Sequence, residues 1–378
     1  MSGTMWLITM LIPAMLGIYI FAVWRRVRIP PLKVSPESEI SEIVSETDAW
    51  LTKLKAEHKF SGVTLVIRDG KELIAGAYGF ADAGRRTSLT VSSPMRIASV
   101  SKQFTAAAIL LLVSQNKLDL DAPIDVYLNE FPYKGIKVRH VLSQTSGIPD
   151  SYMKLWGKKK TEKTLTIQAV VALISDSGQD TSFNPGERFA YSNTNFVLLA
   201  AIVERISGLS FEDFMQLNIF KPLGMKESRV WNLLSKKPAL DGQTKTYNMY
   251  AKRKRARDLK MTNLDGVAGD GAIFTSVRDI GIWNQFWTSG RGLVPPEILQ
   301  LAFEAGEENK SPEVSYGFGW VLEDNASWHN GMWLGANAYL WRSNNGKDVL
   351  FLADNGSNVC FDKIVEELKQ TFFADASP

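Results

Sequence analysis

The stretch Arg96-Ile97-Ala98-Ser99-Val100-Ser101-Lys102 decides how this chain reads. It runs into Phe104, Ala106, Ala107, Ile109, Leu110 and Leu111, a tract that is apolar on most sides. Residues 101–115 are therefore expected to form a buried helix. Residues i and i+3 of a helix share a face, with Cβ atoms about 5–6 Å apart. Ser99 and Lys102 can thus share a hydrogen bond. A serine hydroxyl is a weak nucleophile until a base takes its proton. Burial among Phe104, Ala106, Ala107 and Ile109 disfavours an ammonium and suits a lysine to act as a neutral base. The start of a helix also favours negative charge developing nearby. Ser-x-x-Lys alone equally fits a capping serine and a snorkelling lysine. The apolar setting tips the balance, because a lysine there is costly without a task.

Two further elements can join it. Tyr191-Ser192-Asn193 follows the turn signal Asn184-Pro185-Gly186-Glu187. In an extended segment Tyr191 and Asn193 point the same way. Tyr191 can then pass a proton to a leaving group while Asn193 holds a substrate carbonyl. By itself the pair also fits a half-buried surface position. The third element is Trp328-His329-Asn330-Gly331-Met332, placed just before a strand expected from Gly335. Gly331 lets a substrate backbone approach closely. The N–H groups of Met332 and Ser99 can form an oxyanion hole, worth about 3–4 kcal/mol per donor in the transition state. His329 alone also fits a buried, hydrogen-bonded histidine.

In this order, Ser99-Val100-Ser101-Lys102, Tyr191-Ser192-Asn193 and His329-Asn330-Gly331 resemble the three motifs of the serine β-lactamase-like family. That family includes penicillin-binding proteins, class C β-lactamases and esterases. Supporting text includes Phe60-Ser61-Gly62-Val63, Lys117-Leu118-Asp119-Leu120-Asp121, Thr145-Ser146-Gly147-Ile148, Phe220-Lys221-Pro222-Leu223-Gly224-Met225, Gly269-Asp270-Gly271 and Tyr316-Gly317-Phe318-Gly319-Trp320. The resemblance covers about residues 50–368. It implies an α/β (α+β) fold with a central antiparallel sheet, a helical lobe and the site between them. It also implies an acyl-enzyme on Ser99, formed with Lys102 and Tyr191 as bases, and no metal or organic cofactor. His329 stands where β-lactamases and penicillin-binding proteins carry lysine. That weakens a grip on a substrate carboxylate and favours the esterase-like branch. Gln144 stands where many relatives have histidine. No extra carboxylate for deacylation stands out, so that step falls to Tyr191 or Lys102.

Outward from the motifs, residues 60–78 read as a hairpin. Val63-Thr64-Leu65-Val66-Ile67 is rich in β-formers, and Asp69-Gly70 is a strong turn signal. Strand signals return at residues 316–322, 335–342 and 349–353. Residues 362–372 predict a closing helix with Ile364, Val365 and Leu368 on one face. Strands at both ends with helices between them predict one sheet built from both termini. Ile40, Ile43, Val44, Thr47, Trp50, Leu51 and Leu54 recur at helical spacing, and Ser35 and Pro36 suit the cap and first turn.

Residues 5–24 form an uncharged run of 20, about 30 Å as a helix, enough to cross a bilayer. Pro13 and Gly17 are tolerated in membrane helices. Arg25, Arg26 and Arg28 follow the run, the reverse of a cleavable signal peptide. The expected organisation is an anchor over residues 1–28, a Pro-rich linker over 29–36 and a hydrolase domain over 37–378. By the positive-inside rule the basic flank puts that domain in the cytoplasm. The family resemblance implies a periplasmic or extracytoplasmic location instead.

Composition excludes other classes. The chain has 378 residues, 45% of them hydrophobic and 22% charged, as in globular proteins. Its 43 basic and 40 acidic residues nearly balance, which gives no case for nucleic acid. A single cysteine, Cys360, forbids an intrachain disulfide. His58, His140 and His329 lack metal-ligand spacing. The basic runs Lys158-Lys159-Lys160 and Lys252-Arg253-Lys254-Arg255 fit solvated loops or contact with anionic lipid. Three functions compete at this point. The first is an esterase or amidase acting on a small-molecule or peptide substrate. The second is a D-amino-acid peptidase, cell-wall transesterase or β-lactamase. The third is a catalytically silent binding relative, against which the intact Ser99, Lys102 and Tyr191 argue.

Overall fold

The computed structural model describes residues 28–34, 38–248, 257–304 and 315–374. The expected membrane span, the Ser35-Pro36 helix start and the basic run at 252–255 lie outside the described residues. Among those described, no single helix is long and apolar enough to cross a membrane.

The first helix, α1 (Ile40–Ala56), buries Thr47, Trp50, Leu51 and Leu54, the stripe its spacing predicts. The hairpin follows as β1 (Gly62–Arg68) and β2 (Lys71–Tyr78). Asp69 and Gly70 both take positive φ at its turn. A long helical stretch then includes α2 (Ser101–Ser114), α3 (Asn193–Ser207) and α4 (Val277–Ser289). The chain returns to the sheet through β3 (Ser315–Tyr316), β4 (Val321–Leu322), β5 (Ala326–Trp333), β6 (Ala336–Ser343) and β7 (Val349–Asp354). It closes with α5 (Phe361–Phe373). The seven strands run in the order β3-β4-β5-β6-β7-β1-β2, and each neighbouring pair is antiparallel. β1 pairs with β7, Val63 opposite Ala353 and Leu65 opposite Phe351, so both ends of the chain build one sheet, as expected.

Period-two alternation splits the core. Leu350 and Leu352 of β7 join Trp50, Leu51 and Leu54 of α1 and Ile364 and Leu368 of α5 on one face. Val349, Phe351 and Ala353 join Phe104 of α2 and Trp283 of α4 on the other. α2 is central to the second layer, with residues 101–112 all buried. The Phe104 ring stacks on Trp283 with centroids 3.8 Å apart. Burial on all sides matches the apolar character of its sequence. Cys360 is buried just before α5.

Two expectations need correction. Residues 326–333 form strand β5 rather than a lead-in to a strand at Gly335. The Asn330-Gly331 pair hid it, because it reads as a turn. Gly331 is required there by a contact described below, and the turn falls at Leu334 and Gly335, both at positive φ. Residues 316–322 are also not one strand. Gly317 sits so close to the Ala302 carbonyl oxygen that a Cβ would lie 2.0 Å from it, and Gly319 has φ +79°. That bend separates β3 from β4.

Candidate active site

Ser99 sits in a short 3-10 turn, Ala98–Val100, that leads into α2. The turn is held from outside. Met95 and Arg96 pair with Thr275 and Phe274, and the Ile97 N–H donates to the Ile273 carbonyl at 3.1 Å. Ala98 takes φ +45°, a left-handed conformation unusual for a side-chain-bearing residue, immediately before the serine. Strain of this kind persists only where the surroundings over-determine it.

Lys102 is fully buried one turn along. Its Nζ lies 3.0 Å from Ser99 Oγ, 2.8 Å from Asn193 Oδ1 and 3.0 Å from the Asp270 carbonyl oxygen. Two of these partners, the amide and peptide oxygens, can only accept. Nζ must therefore donate to both, and Ser99 Oγ, the one partner of the three that can donate as well as accept, takes a third position on the nitrogen. The Tyr191 ring centroid is 4.9 Å from the same Nζ, and Tyr191 is 39% exposed. Ser99, Lys102, Tyr191 and Asn193 thus come together, although α3 lies about ninety residues beyond α2. Asn193 opens α3 as its first residue rather than continuing an extended segment from Tyr191.

β5 closes the other side. A Cβ added at Gly331 would lie 2.6 Å from both Ser99 N and Ile97 O. Only glycine lets this strand press against the serine turn. β4 pairs with β5 only at Ser327 and Trp328, so among the described residues the edge of β5 from His329 to Trp333 has no strand partner on that side, and Met332 and Trp333 line the cleft. Met332 is 77% exposed at the rim.

His329 does not reach the open cleft, being 2% exposed. Its Nδ1 lies 2.5 Å from the Asn330 carbonyl oxygen and its Nε2 3.0 Å from the Tyr316 hydroxyl. A carbonyl only accepts, so Nδ1 carries the proton, Nε2 accepts, and Tyr316 donates. Burial, reinforced by the Lys102 charge, pushes the imidazole pKa down to about 3. The imidazole is therefore uncharged near neutral pH.

Ser99, Asn193, Met332, Met153, Leu264 and Trp333 are among the residues lining a cleft of about 290 Å³. Its far wall holds a buried ion pair, Arg96 Nη2 to Asp265 Oδ1 at 2.7 Å, and Trp333 Nε1 donates to the same oxygen at 2.7 Å. Among the described residues no group of three or more His, Cys, Asp or Glu side chains could hold a metal ion.

The Beta-lactamase family profile matches residues 47–359. The chain is 30% identical over 325 residues to penicillin-binding protein 4* of Bacillus subtilis, covering 82% of this chain and 72% of that protein. The chain belongs to the β-lactamase family. It is a serine hydrolase of the β-lactamase and penicillin-binding protein superfamily. A D-aminopeptidase of Brucella anthropi is 34% identical over 245 residues, 64% of this chain but only 45% of that enzyme. The chain therefore spans about half the length of the D-aminopeptidases it matches. Among solved structures, the octameric penicillin-binding protein homologue from Pyrococcus abyssi aligns with TM-score 0.71 at 25% identity, over 86% of this chain and 77% of that one. The D-amino acid amidase from Ochrobactrum anthropi SV3 aligns with TM-score 0.72 at 22% identity, over 88% and 99%, and shares the fold.

Several residues of the site were not singled out by sequence. Asp150 accepts from Asn193 N at 3.0 Å and from Asn193 Nδ2 at 3.0 Å. Tyr152 donates to Asp270 Oδ2 at 2.8 Å, and enclosure holds the Asp270 carboxyl above the usual carboxylate range. Gln144, which the sequence reading names without giving it a role, takes φ +61°. Its Oε1 accepts from Ser192 N at 3.1 Å and Asn195 Nδ2 at 2.6 Å, which ties down the Tyr-x-Asn loop. The Gly269-Asp270-Gly271 match was the one signal that could have flagged Asp270.

Proposed function

We propose that the chain cleaves ester or amide bonds through an acyl-enzyme on Ser99, with Lys102 and Tyr191 moving the protons. The observation that carries this is the Ser99 Oγ to Lys102 Nζ contact of 3.0 Å, with Nζ otherwise committed to two pure acceptors. As Ser99 Oγ attacks the carbonyl carbon, its proton passes to Lys102 Nζ. The oxyanion forms beside the N–H groups of Ser99 and Met332. Tyr191, whose ring lies over the lysine, delivers its proton to the leaving group and takes the serine proton on from Lys102, so both groups return to their starting state before deacylation. Water then repeats the sequence on the acyl-enzyme. Asn193 and the backbone of Gly331 and Met332 orient the substrate, and His329 supports β5 from beneath.

The uncharged His329 supports an esterase or amidase over an enzyme that grips a free carboxylate. The D-aminopeptidase relatives support a second reading, a D-amino-acid peptidase or amidase. The reading also includes an N-terminal anchor over residues 5–24, supported by its uncharged run. The membrane side is a matter for a C-terminal reporter fusion, since the arginine flank and the family point opposite ways.

The test is turnover of p-nitrophenyl esters, D- and L-amino-acid p-nitroanilides and a chromogenic cephalosporin, with Ser99→Ala as control. Ester or anilide turnover lost in Ser99→Ala supports the proposal, and a D-specific anilide signal selects the second reading. Cephalosporin turnover alone would move the assignment to β-lactamase. Turnover that survives in Ser99→Ala would sink it.

A further inference from the structure

We propose that Asp150 is a positioning residue for Lys102, acting through the Asn193 amide; the inference rests on the catalytic reading above. Asp150 is exposed and follows the largely buried segment Thr145-Ser146-Gly147-Ile148-Pro149, and its carboxylate bonds to Asn193 and Thr194 rather than to Ser99 or Lys102. Its carboxylate covers the start of α3. Oδ1 accepts from Asn193 N at 3.0 Å and Thr194 N at 3.3 Å, and Oδ2 accepts from Asn193 Nδ2 at 3.0 Å. The residue at the cap position, Ser192, makes no side-chain cap bond, so this remote carboxylate does that work.

The consequence lies in the amide. A side-chain amide has one donating and one accepting end, and a carboxylate only accepts. Asp150 therefore fixes Asn193 with its NH2 outward and Oδ1 toward Lys102 Nζ at 2.8 Å. The opposite orientation would aim an N–H at the lysine. That N–H would compete with the Ser99 hydroxyl for the amine lone pair, which is the electron pair that must take the serine proton. The titratable groups that face Lys102 are Tyr191 across its ring, Asp270 through its carbonyl and charge, and His329 through its charge. None of these contacts turns the Asn193 amide. Asp150 is the group that does.

Asp150→Asn is nearly isosteric and offers a donor as well as an acceptor, so the Asn193 amide becomes free to turn. kcat on the best substrate should fall about 10–100-fold with KM little changed. The acid limb of the kcat/KM profile should move to lower pH, because an ammonium at Lys102 loses an acceptor. The double variant Asp150→Asn/Asn193→Asp restores a fixed acceptor toward the lysine, now charged. Its acid limb should lie above that of wild type. A cap-only role would lower thermal stability in Asp150→Asn while leaving the acid limb in place, and that result overturns the inference. So does wild-type kcat in Asp150→Asn. Labelling Ser99 with a fluorophosphonate separates the two claims. Wild type labelled at Ser99 with an unmoved limb in the variant defeats only the role of Asp150. Wild type that turns substrate over without an acyl-enzyme at Ser99 defeats the catalytic reading beneath it as well.

Discussion

Replacing Gly331 by alanine tests how closely β5 must approach the serine. The new Cβ would sit 2.6 Å from Ser99 N and from Ile97 O, and 3.1 Å from Ala98 Cβ. Ordinary contact begins at 3.4 Å, so the strand and the turn must part by about 0.8 Å. Both obstacles at 2.6 Å are backbone atoms, which cannot swing aside as a flexible side chain would. Overpacking of this kind costs about 1–3 kcal/mol. Against it, alanine is favoured over glycine within a strand by about 0.5–1 kcal/mol. The net loss of stability is therefore modest, about 0–2.5 kcal/mol. The rate should suffer more. A shift near 1 Å between nucleophile and oxyanion donors costs about 100-fold. The assay is kcat and KM on the substrate turned over best, beside a urea unfolding curve. The expected result is kcat lower by about two orders of magnitude in a protein that remains folded. A variant within threefold of wild type would refute the claim that this contact sets the oxyanion geometry.

Other perturbations probe separate parts of the argument. Lys102→Met should lower kcat/KM by about 100- to 10,000-fold. It should leave the protein folded, with a loss of about 1–3 kcal/mol because Asn193 Oδ1 and the Asp270 carbonyl lose their donor; global unfolding in the calorimeter would count against the site as drawn. Asp265→Asn leaves the Arg96 guanidinium buried without its counter-charge, and should cost about 3–5 kcal/mol in urea denaturation. A loss below about 1 kcal/mol would show that the pair is not sealed as its burial implies. His329 binds its proton in the unfolded chain with a pKa near 6.5, but in the folded protein only at about 3. Between those values the unfolded state holds more protons, so stability falls as pH drops through that window, by up to about 1.4 kcal/mol per pH unit. His329→Gln should remove this slope and leave the behaviour above pH 7 unchanged, which pH-resolved urea midpoints would read directly.

How much of this was legible in the sequence follows from where each interaction lies along the chain. The Ser99–Lys102 pair is local, so spacing gave it. The hairpin at Asp69-Gly70 and the stripe of α1 are also local, and the structure places them as expected. β5 was missed because its sequence is shaped by a tertiary contact. Gly331 is there to clear Ser99 N and Ile97 O, and in doing so it erases the strand signal around Asn330. His329 posed the same problem in chemical form. Its residue type allowed contact with substrate or a place in the core. Only the positions of Tyr316 and the Asn330 carbonyl show that both ring nitrogens are engaged away from the cleft.

The lysine makes the deeper point. A Ser-x-x-Lys pattern supplies a base and a nucleophile, but not the direction of the lone pair. That direction is set by the two acceptors on Lys102 Nζ, one from residue 193 and one from residue 270. The first of these is itself oriented by residue 150. Three segments distant in sequence thus decide which proton the amine can take. The motif is necessary to the chemistry, yet the same four residues on a helix without those acceptors would leave the lysine free to turn its N–H groups toward the serine. An exposed lysine would also find water for every donor. Burial removes that option and makes the count of acceptors decisive. With two places filled by oxygen atoms that cannot donate, the remaining one points at Ser99.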